Sequence, residues 1–246
     1  MTTDNQQTRA AAITGAIREI RDSIRQAELS YDRHQDSVSL LAVSKTRPAS
    51  DIVAAIDAGQ LEFGENYVDE GVGKIQDINA SLPQAVSRTL HWHFIGSIQS
   101  NKTKLIANHF SWVHGIDRLR IADRLAKQRS SELPALNCCI QVNVDDEASK
   151  AGVSVSELGE LVAACSELPN LTLRGLMAIP APRDTVTGQR QVFAQIRALL
   201  SDLQQTHPQL DTLSMGMTAD RDAAIAEGAT IVRVGTAIFG ARQKSV

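Results

Sequence analysis

Cysteine is nearly missing from this chain. Cys138, Cys139 and Cys165 are an odd set, two of them adjacent in an apolar run. No C-x-x-C pair and no Cys/His spacing suited to zinc occurs, so neither a disulfide framework nor a zinc module is expected. The thiols read as small buried hydrophobes in a reducing compartment. Aromatic residues are also scarce, at 4%, which argues against base-stacking platforms for nucleic acid. No stretch of about 18 apolar residues appears, and the opening MTTDNQQTRA has no apolar signal core. No membrane partner is expected, and cytoplasmic localisation is the default. Neither charge sign dominates: 25 Lys and Arg face 28 Asp and Glu, for a net charge of -3. That balance favours neither nucleic acid nor an anionic membrane surface.

What is present is enough apolar material for a full core, 43% of 246 residues, arranged in two alternating rhythms. The first thirty residues read as one helix, because Ile13, Ile17, Ile20, Ile24 and Ala27 recur at three- and four-residue steps. Short apolar runs follow at 39–45, 60–66, 90–96, 111–117, 136–144, 171–179, 210–216 and 230–240. Amphipathic segments lie between them. In ASDIVAAIDAG, Ser50 is placed to cap a helix and Gly59 to stop it. Strands alternating with helices imply parallel strands joined by crossovers. About eight such units in this length predict an α/β fold, a single (β/α)8 TIM-type barrel with an extra N-terminal helix. An open doubly wound sheet is the alternative, because periodicity does not give strand order. The expected organisation is one domain over 1–246, with the helix at 1–30 and the barrel at 39–242.

Reactive groups in such barrels sit at the carboxyl ends of the strands. Lys45 ends LLAVSK, where alternation puts Leu41, Val43 and Lys45 on one face. An ammonium at the rim of an apolar interior is a candidate amine nucleophile, and a solvated strand-end lysine is the plain alternative. Arg233 lies among β-branched residues, on the face of Ile231 and Gly235. Its guanidinium needs an acceptor, either a structural carboxylate or a ligand atom. In SMGMTAD, Ser214 and Gly216 precede a helix start that Thr218 is placed to cap. Gly235 and Thr236 follow the next strand. Both loops fall where barrels often bind phosphate. Asn66 marks a strand-to-helix turn, with capping as its plain reading. His91 and His93 are two apart on a strand, but no third metal ligand is evident. Lys74 and Lys102 read as solvated helix residues, with a secondary amine site as the alternative.

The segments AVSKTRP, FGENYVDE, HWHFIGSIQSNK, VHGIDRLRIADRL, QVNVDDEASKAG, LRGLMAIP and SMGMTADRDAAIAEGATIVRVGTAIFGAR, spread from about 39 to 242, carry a family resemblance. The chain resembles the pyridoxal phosphate homeostasis proteins, a group related to the barrel domain of alanine racemase. The resemblance implies a pyridoxal 5'-phosphate (PLP) cofactor held as a Schiff base on Lys45, with Asn66 and Met177 near it. It implies a phosphate loop of Ser214, Gly216 and Met217 joined by Gly235 and Thr236, and Arg233 facing the pyridine nitrogen. His93 and Asn101 match motif positions without an assigned step. The chain departs from the family's pattern at Thr218, where Ser is common, and at Ser97-Ile98, where Pro-Leu is common.

These residues leave three functions to weigh. The first is a PLP-binding protein with little or no turnover that takes part in vitamin B6 homeostasis, with apo-enzymes as recipients. The second is an amino-acid racemase, and the third a cofactor-free Schiff-base aldolase. An Arg partner keeps its proton and leaves the ring nitrogen unprotonated, which weakens the cofactor as an electron sink. Racemisation needs acid/base groups on both faces of the intermediate. Only Tyr31 and Tyr67 exist as tyrosines, and neither evidently takes the opposing place. The aldolase leaves no use for Arg233. The holding role is therefore expected, by a monomer, with no catalytic residue and no metal site assigned.

Overall fold

A computed structural model describes residues 3–146 and 151–241. Residues 147–150 of the QVNVDDEASKAG segment, and those after 241, lie outside the described residues. Eight parallel strands form the centre: β1 (Ser39–Val43), β2 (Glu62–Glu65), β3 (His91–Phe94), β4 (Trp112–Ile116), β5 (Leu136–Asn143), β6 (Leu171–Met177), β7 (Thr212–Ser214) and β8 (Ile231–Val234). Each pairs with the next in sequence, and β8 pairs with β1 through Leu41–Arg233 and Ala42–Val234, so the sheet closes. The TIM-type barrel is therefore present and the open sheet is not. A two-residue strand, Val153–Ser154, adds to the end of β5.

Strand alternation sorts the side chains into two populations. Ala42, Phe63, Trp92, Phe94, Val113, Cys138, Ile140, Leu173, Leu176, Leu213, Val232 and Val234 face outward and pack under the helices in one continuous core. Leu41, Ile95 and Ile231 form a separate small cluster inside the barrel, with Val43 against it. The outer layer comprises α1 (Thr3–Ser30), α2 (Ala49–Asp57), α3 (Val68–Ser81), the short α4 (Gln84–Ser87), α5 (Thr103–His109), α6 (Leu119–Gln128), α7 (Val155–Ser166), α8 (Val186–Gln204), α9 (Arg221–Ala226) and α10 (Thr236–Phe239). Helix α1 buries the face that its spacing marked, with Ile13 and Ile17 almost fully covered. It lies against α2, α9 and α10. Each such isoleucine contributes roughly 1.5–3 kcal/mol.

Several local expectations are corrected. Helix α2 starts at Ala49 after Pro48, so Ser50 lies within its first turn and caps nothing. Proline fits there because the first helical amides lack intrahelical acceptors anyway. Gly59 does end α2, at a φ of 79°. The last apolar run is not one strand: β8 stops at Val234, and residues 236–239 turn into α10. Helix α9 begins at Arg221 behind Asp220, beyond the reach of a Thr218 cap.

Candidate functional site

The nine singled-out residues, Lys45, Asn66, Met177, Ser214, Gly216, Met217, Arg233, Gly235 and Thr236, all fall at the carboxyl ends of β1, β2, β6, β7 and β8 or in the turns just after them. Parallel closure puts those ends on one face of the barrel. Strand β1 ends two residues before Lys45, so Lys45 stands in a turn and not on the strand itself. The turn is held from both sides. Ser44 N–H donates to Gly64 O at 2.9 Å, and Arg47 N–H to Ser44 O at 3.1 Å. Thr46, at a φ of 62°, gives its N–H to Glu70. Lys45 is half-buried.

Behind this turn lies a buried ion pair that the sequence reading did not anticipate. Lys74, expected to be solvated, is buried with its Nζ donating to Ser44 O at 2.6 Å and Glu65 Oε1 at 2.8 Å. Ser44 Oγ also donates to Glu65 Oε1, at 2.6 Å. Burial pushes the Glu65 carboxyl above its usual range, and Lys74 pulls it back down. Ser44 and Glu65 immediately precede Lys45 and Asn66, so the pair fixes two strand ends from outside the barrel. Lys102 is engaged as well, donating to both carboxylate oxygens of Asp69 at 2.8 Å.

Asn66 does not cap α3, which starts behind Tyr67 with no side-chain cap. Its Oδ1 is buried without a hydrogen-bond partner. The backbone there is crowded, since a Cβ on Gly96 would meet Asn66 O at 2.3 Å. Met177 is buried at the end of β6, and Met217 is 39% exposed in the loop after β7. Gly216 adopts a φ of 88°, and a Cβ there would come within 2.5 Å of the Ala224 methyl. The loop is fastened by Met217 N–H donating to Asp220 Oδ1 at 2.6 Å. Gly235 sits just ahead of α10, whose first turn starts at Thr236. Ile238 N–H and Phe239 N–H donate to Gly235 O at 3.0 and 2.9 Å, while the amides of Thr236 and Ala237 precede any acceptor within the helix.

Arg233 is buried, and its acceptors are neutral. Nη1 donates to Ser214 O at 2.6 Å and Ser214 Oγ at 2.8 Å, and Nη2 donates to Ala178 O at 2.9 Å. Three of five N–H groups are thereby used, leaving Nε–H and one Nη2–H. Burial lowers its pKa to about 10, with Asp220 and Cys139 opposing the shift from a distance. Ser214 is fully buried, and its hydroxyl also meets His114 Nδ1 at 2.8 Å. His114 Nε2 meets His93 Nδ1 at 2.9 Å. His93 Nε2 meets Glu62 Oε2 at 2.5 Å. His91, by contrast, is exposed. His114 was the residue missed. The signal was its phase with Trp112 in WVHGI, which puts both inside the barrel, where Trp112 stacks on His93 at 5.3 Å. Among the described residues, no group of three or more His, Cys, Asp or Glu is placed to hold a metal ion.

Comparison with known proteins places the fold and the family. The family model "Alanine racemase, N-terminal domain" matches residues 17–243. The pyridoxal phosphate homeostasis protein of Escherichia coli K12 is 54% identical over 230 residues, 93% of this chain and 96% of its own. A crystal structure of an unknown protein from Bifidobacterium adolescentis superposes with a TM-score of 0.87 at 32% identity, covering 94% of this chain and 96% of that one. PipY of Synechococcus elongatus PCC7942, with PLP bound, gives a TM-score of 0.75 at 37% identity, covering 88% of this chain and 100% of that one. The chain belongs to the alanine racemase N-terminal domain family and, within it, to the group of pyridoxal phosphate homeostasis proteins.

Proposed function

We propose that this protein binds PLP at the carboxyl end of the barrel and takes part in PLP homeostasis, holding the cofactor with little or no turnover. The observation that carries the reading is Arg233. It is a buried guanidinium without a carboxylate partner, it has two N–H groups left over, and it stands one strand away from the Lys45 turn. An unprotonated pyridine nitrogen is an acceptor of the kind it needs. The buried, unpartnered Oδ1 of Asn66 fits the same site, since it is a polar atom that otherwise lacks a counterpart. When bound, PLP supplies an aldehyde that condenses with a primary amine, forming one C=N bond and releasing one water.

The chain's own residues then divide the work. Lys45 provides the amine. Gly216, Met217, Gly235 and Thr236 form the loops that receive the phosphate, and the fully buried Ser214 supports Arg233 from below. The buried Met177 would lie near the cofactor. Arg233 would donate to the ring and keep its own proton, because even a lowered pKa of about 10 leaves it charged at neutral pH. A ring nitrogen that stays unprotonated favours holding over electron-sink chemistry. In this reading residues 1–246 act as one unit, a cytoplasmic monomer that passes PLP to apo-enzymes. Titrating cofactor-free protein with PLP tests it. A visible absorption band that saturates near one equivalent is expected for the wild type, with loss of that band in Lys45→Ala. Equal bands in both proteins would overturn the role of Lys45.

A further inference from the structure

The hydrogen bonds from Arg233 to Glu62 form one unbroken line through the barrel interior. It runs from the carboxyl end of β8 to the first residue of β2, at the opposite end. His114 on β4 and Ser214 on β7 are not neighbours in the sheet, so they meet only across the interior. The line has one consistent direction. Arg233 is a donor only, and an ionised Glu62 is an acceptor only. Glu62 therefore takes the Nε2 hydrogen of His93, whose Nδ1 must accept from His114 Nε2–H. His114 Nδ1 then accepts the Ser214 hydroxyl hydrogen, and a Ser214 lone pair is left for Arg233 Nη1. Both histidines are neutral in this arrangement, and burial favours that form for each.

We infer that Glu62, His93, His114 and Ser214 are positioning residues for Arg233, a one-way relay that fixes the guanidinium's hydrogen bonds from the far end of the barrel. The inference rests on the reading of Arg233 as the ring-nitrogen partner of PLP. The relay has a second state. A proton added to His93 turns its Nδ1 into a donor. His114 Nε2 must then accept, its Nδ1–H points at Ser214, and the serine hydrogen leaves the line. Glu62 favours the protonated form of His93, while burial and His91 oppose it. His93 and Arg233 oppose protonation of His114. Among the described residues, the charged or titratable groups next to the line include Arg174, which donates to Asp211 and lies over Trp112, and Cys139, whose field reaches Arg233 together with that of Asp220. Glu62 is partly exposed, so Glu62→Gln alters the end of the relay with little disturbance of the core.

The test is long-range proton–nitrogen NMR on full-length protein labelled at histidine and arginine, first without cofactor and then with PLP added. His93 and His114 should both be neutral and carry hydrogen on Nε2 at pH 7. In Glu62→Gln the His114 and Arg233 side-chain signals should move, and the His93 titration midpoint should fall by about one pH unit or more. The exposed His91→Gln variant should leave the His114 and Arg233 signals in place. A hydrogen on His114 Nδ1 at pH 7, or unchanged His114 and Arg233 signals in Glu62→Gln, would overturn the relay. Adding PLP should colour the wild type and shift the Arg233 and His114 signals together. Colour with neither signal shifted overturns the coupling and spares the cofactor reading. No colour, with the hydrogens as assigned, overturns the cofactor reading and leaves the relay to Arg233 standing.

Discussion

Replacing Lys74 with methionine removes the cation that pairs with both Glu65 and Glu70. The Glu65 side chain is 0% exposed and that of Lys74 8%, so water screens little of the loss. In Lys74→Met, Glu65 keeps only the Ser44 hydroxyl on Oε1, while Oε2 has no partner even in the native protein. Breaking a buried pair from one side costs about 3–5 kcal/mol, a large part of a typical 5–15 kcal/mol stability. Native Glu65 already has a raised pKa, burial outweighing Lys74, and the variant raises it further. The folded state then binds the proton more tightly than the unfolded chain. Relative to the wild type, the penalty is therefore full above the variant's folded-state pKa and shrinks as pH falls toward that of native Glu65. The limiting slope is about 1.4 kcal/mol per pH unit. Urea melts of both proteins across pH, read as the difference at each pH, measure this. Glu65→Gln combined with Lys74→Met should fall within about 2 kcal/mol of the wild type. A penalty under about 1 kcal/mol, or one that grows on acidification, would refute the reasoning. Because Lys74 also holds Ser44 O, the single variant should loosen the Lys45 turn and weaken PLP binding.

Other expectations follow from single contacts. Gly216→Ala puts a methyl 2.5 Å from Ala224 at a φ of 88°. It should cost about 1–3 kcal/mol in chemical denaturation and weaken PLP retention in dialysis. Ile17→Ala, at a fully covered position of α1, should cost about 2–5 kcal/mol in the same melts. All three thiols should resist an aromatic disulfide reagent at pH 8 and react only after unfolding. They are buried, with the Cys139 thiol pushed up to about 12 and that of Cys165 to about 11. His93 and His114 have folded-state pKa values below the usual 6.5. The unfolded chain therefore takes up protons first. Their contribution to stability is complete above about pH 6.5 and falls on acidification below it, a fall that His114→Phe should reduce in pH-dependent melts.

The barrel was legible because its two populations of side chains obey period two on the strands and 3.6 on the helices. Leu41, Val43, Ile231 and Arg233 fell on the inner face as alternation requires. Closure was not readable from any one segment, since it depends on β8 pairing with β1 across nearly the whole chain. Capping was the weakest inference. Ser50, Asn66 and Thr218 have the right chemistry, yet Pro48, Tyr67 and Asp220 hold the cap positions, because turn geometry set the helix starts one or two residues away. The run at 230–240 misled for a related reason: Thr236, Ala237, Ile238 and Phe239 are apolar enough for a strand, but Gly235 lets the chain turn into α10. His114 escaped notice and Lys74 was misread as solvated because their importance lies in partners on other elements. His114 meets Ser214 one hundred residues later, and no local pattern announces such a contact.

Lys45 is the residue on which PLP binding turns. Protein loaded with PLP, reduced with borohydride, digested and sequenced by tandem mass spectrometry should carry one pyridoxyl-phosphate group, on Lys45. The same label on Lys74 or Lys102 instead, or an unmodified Lys45 in coloured protein, would contradict it.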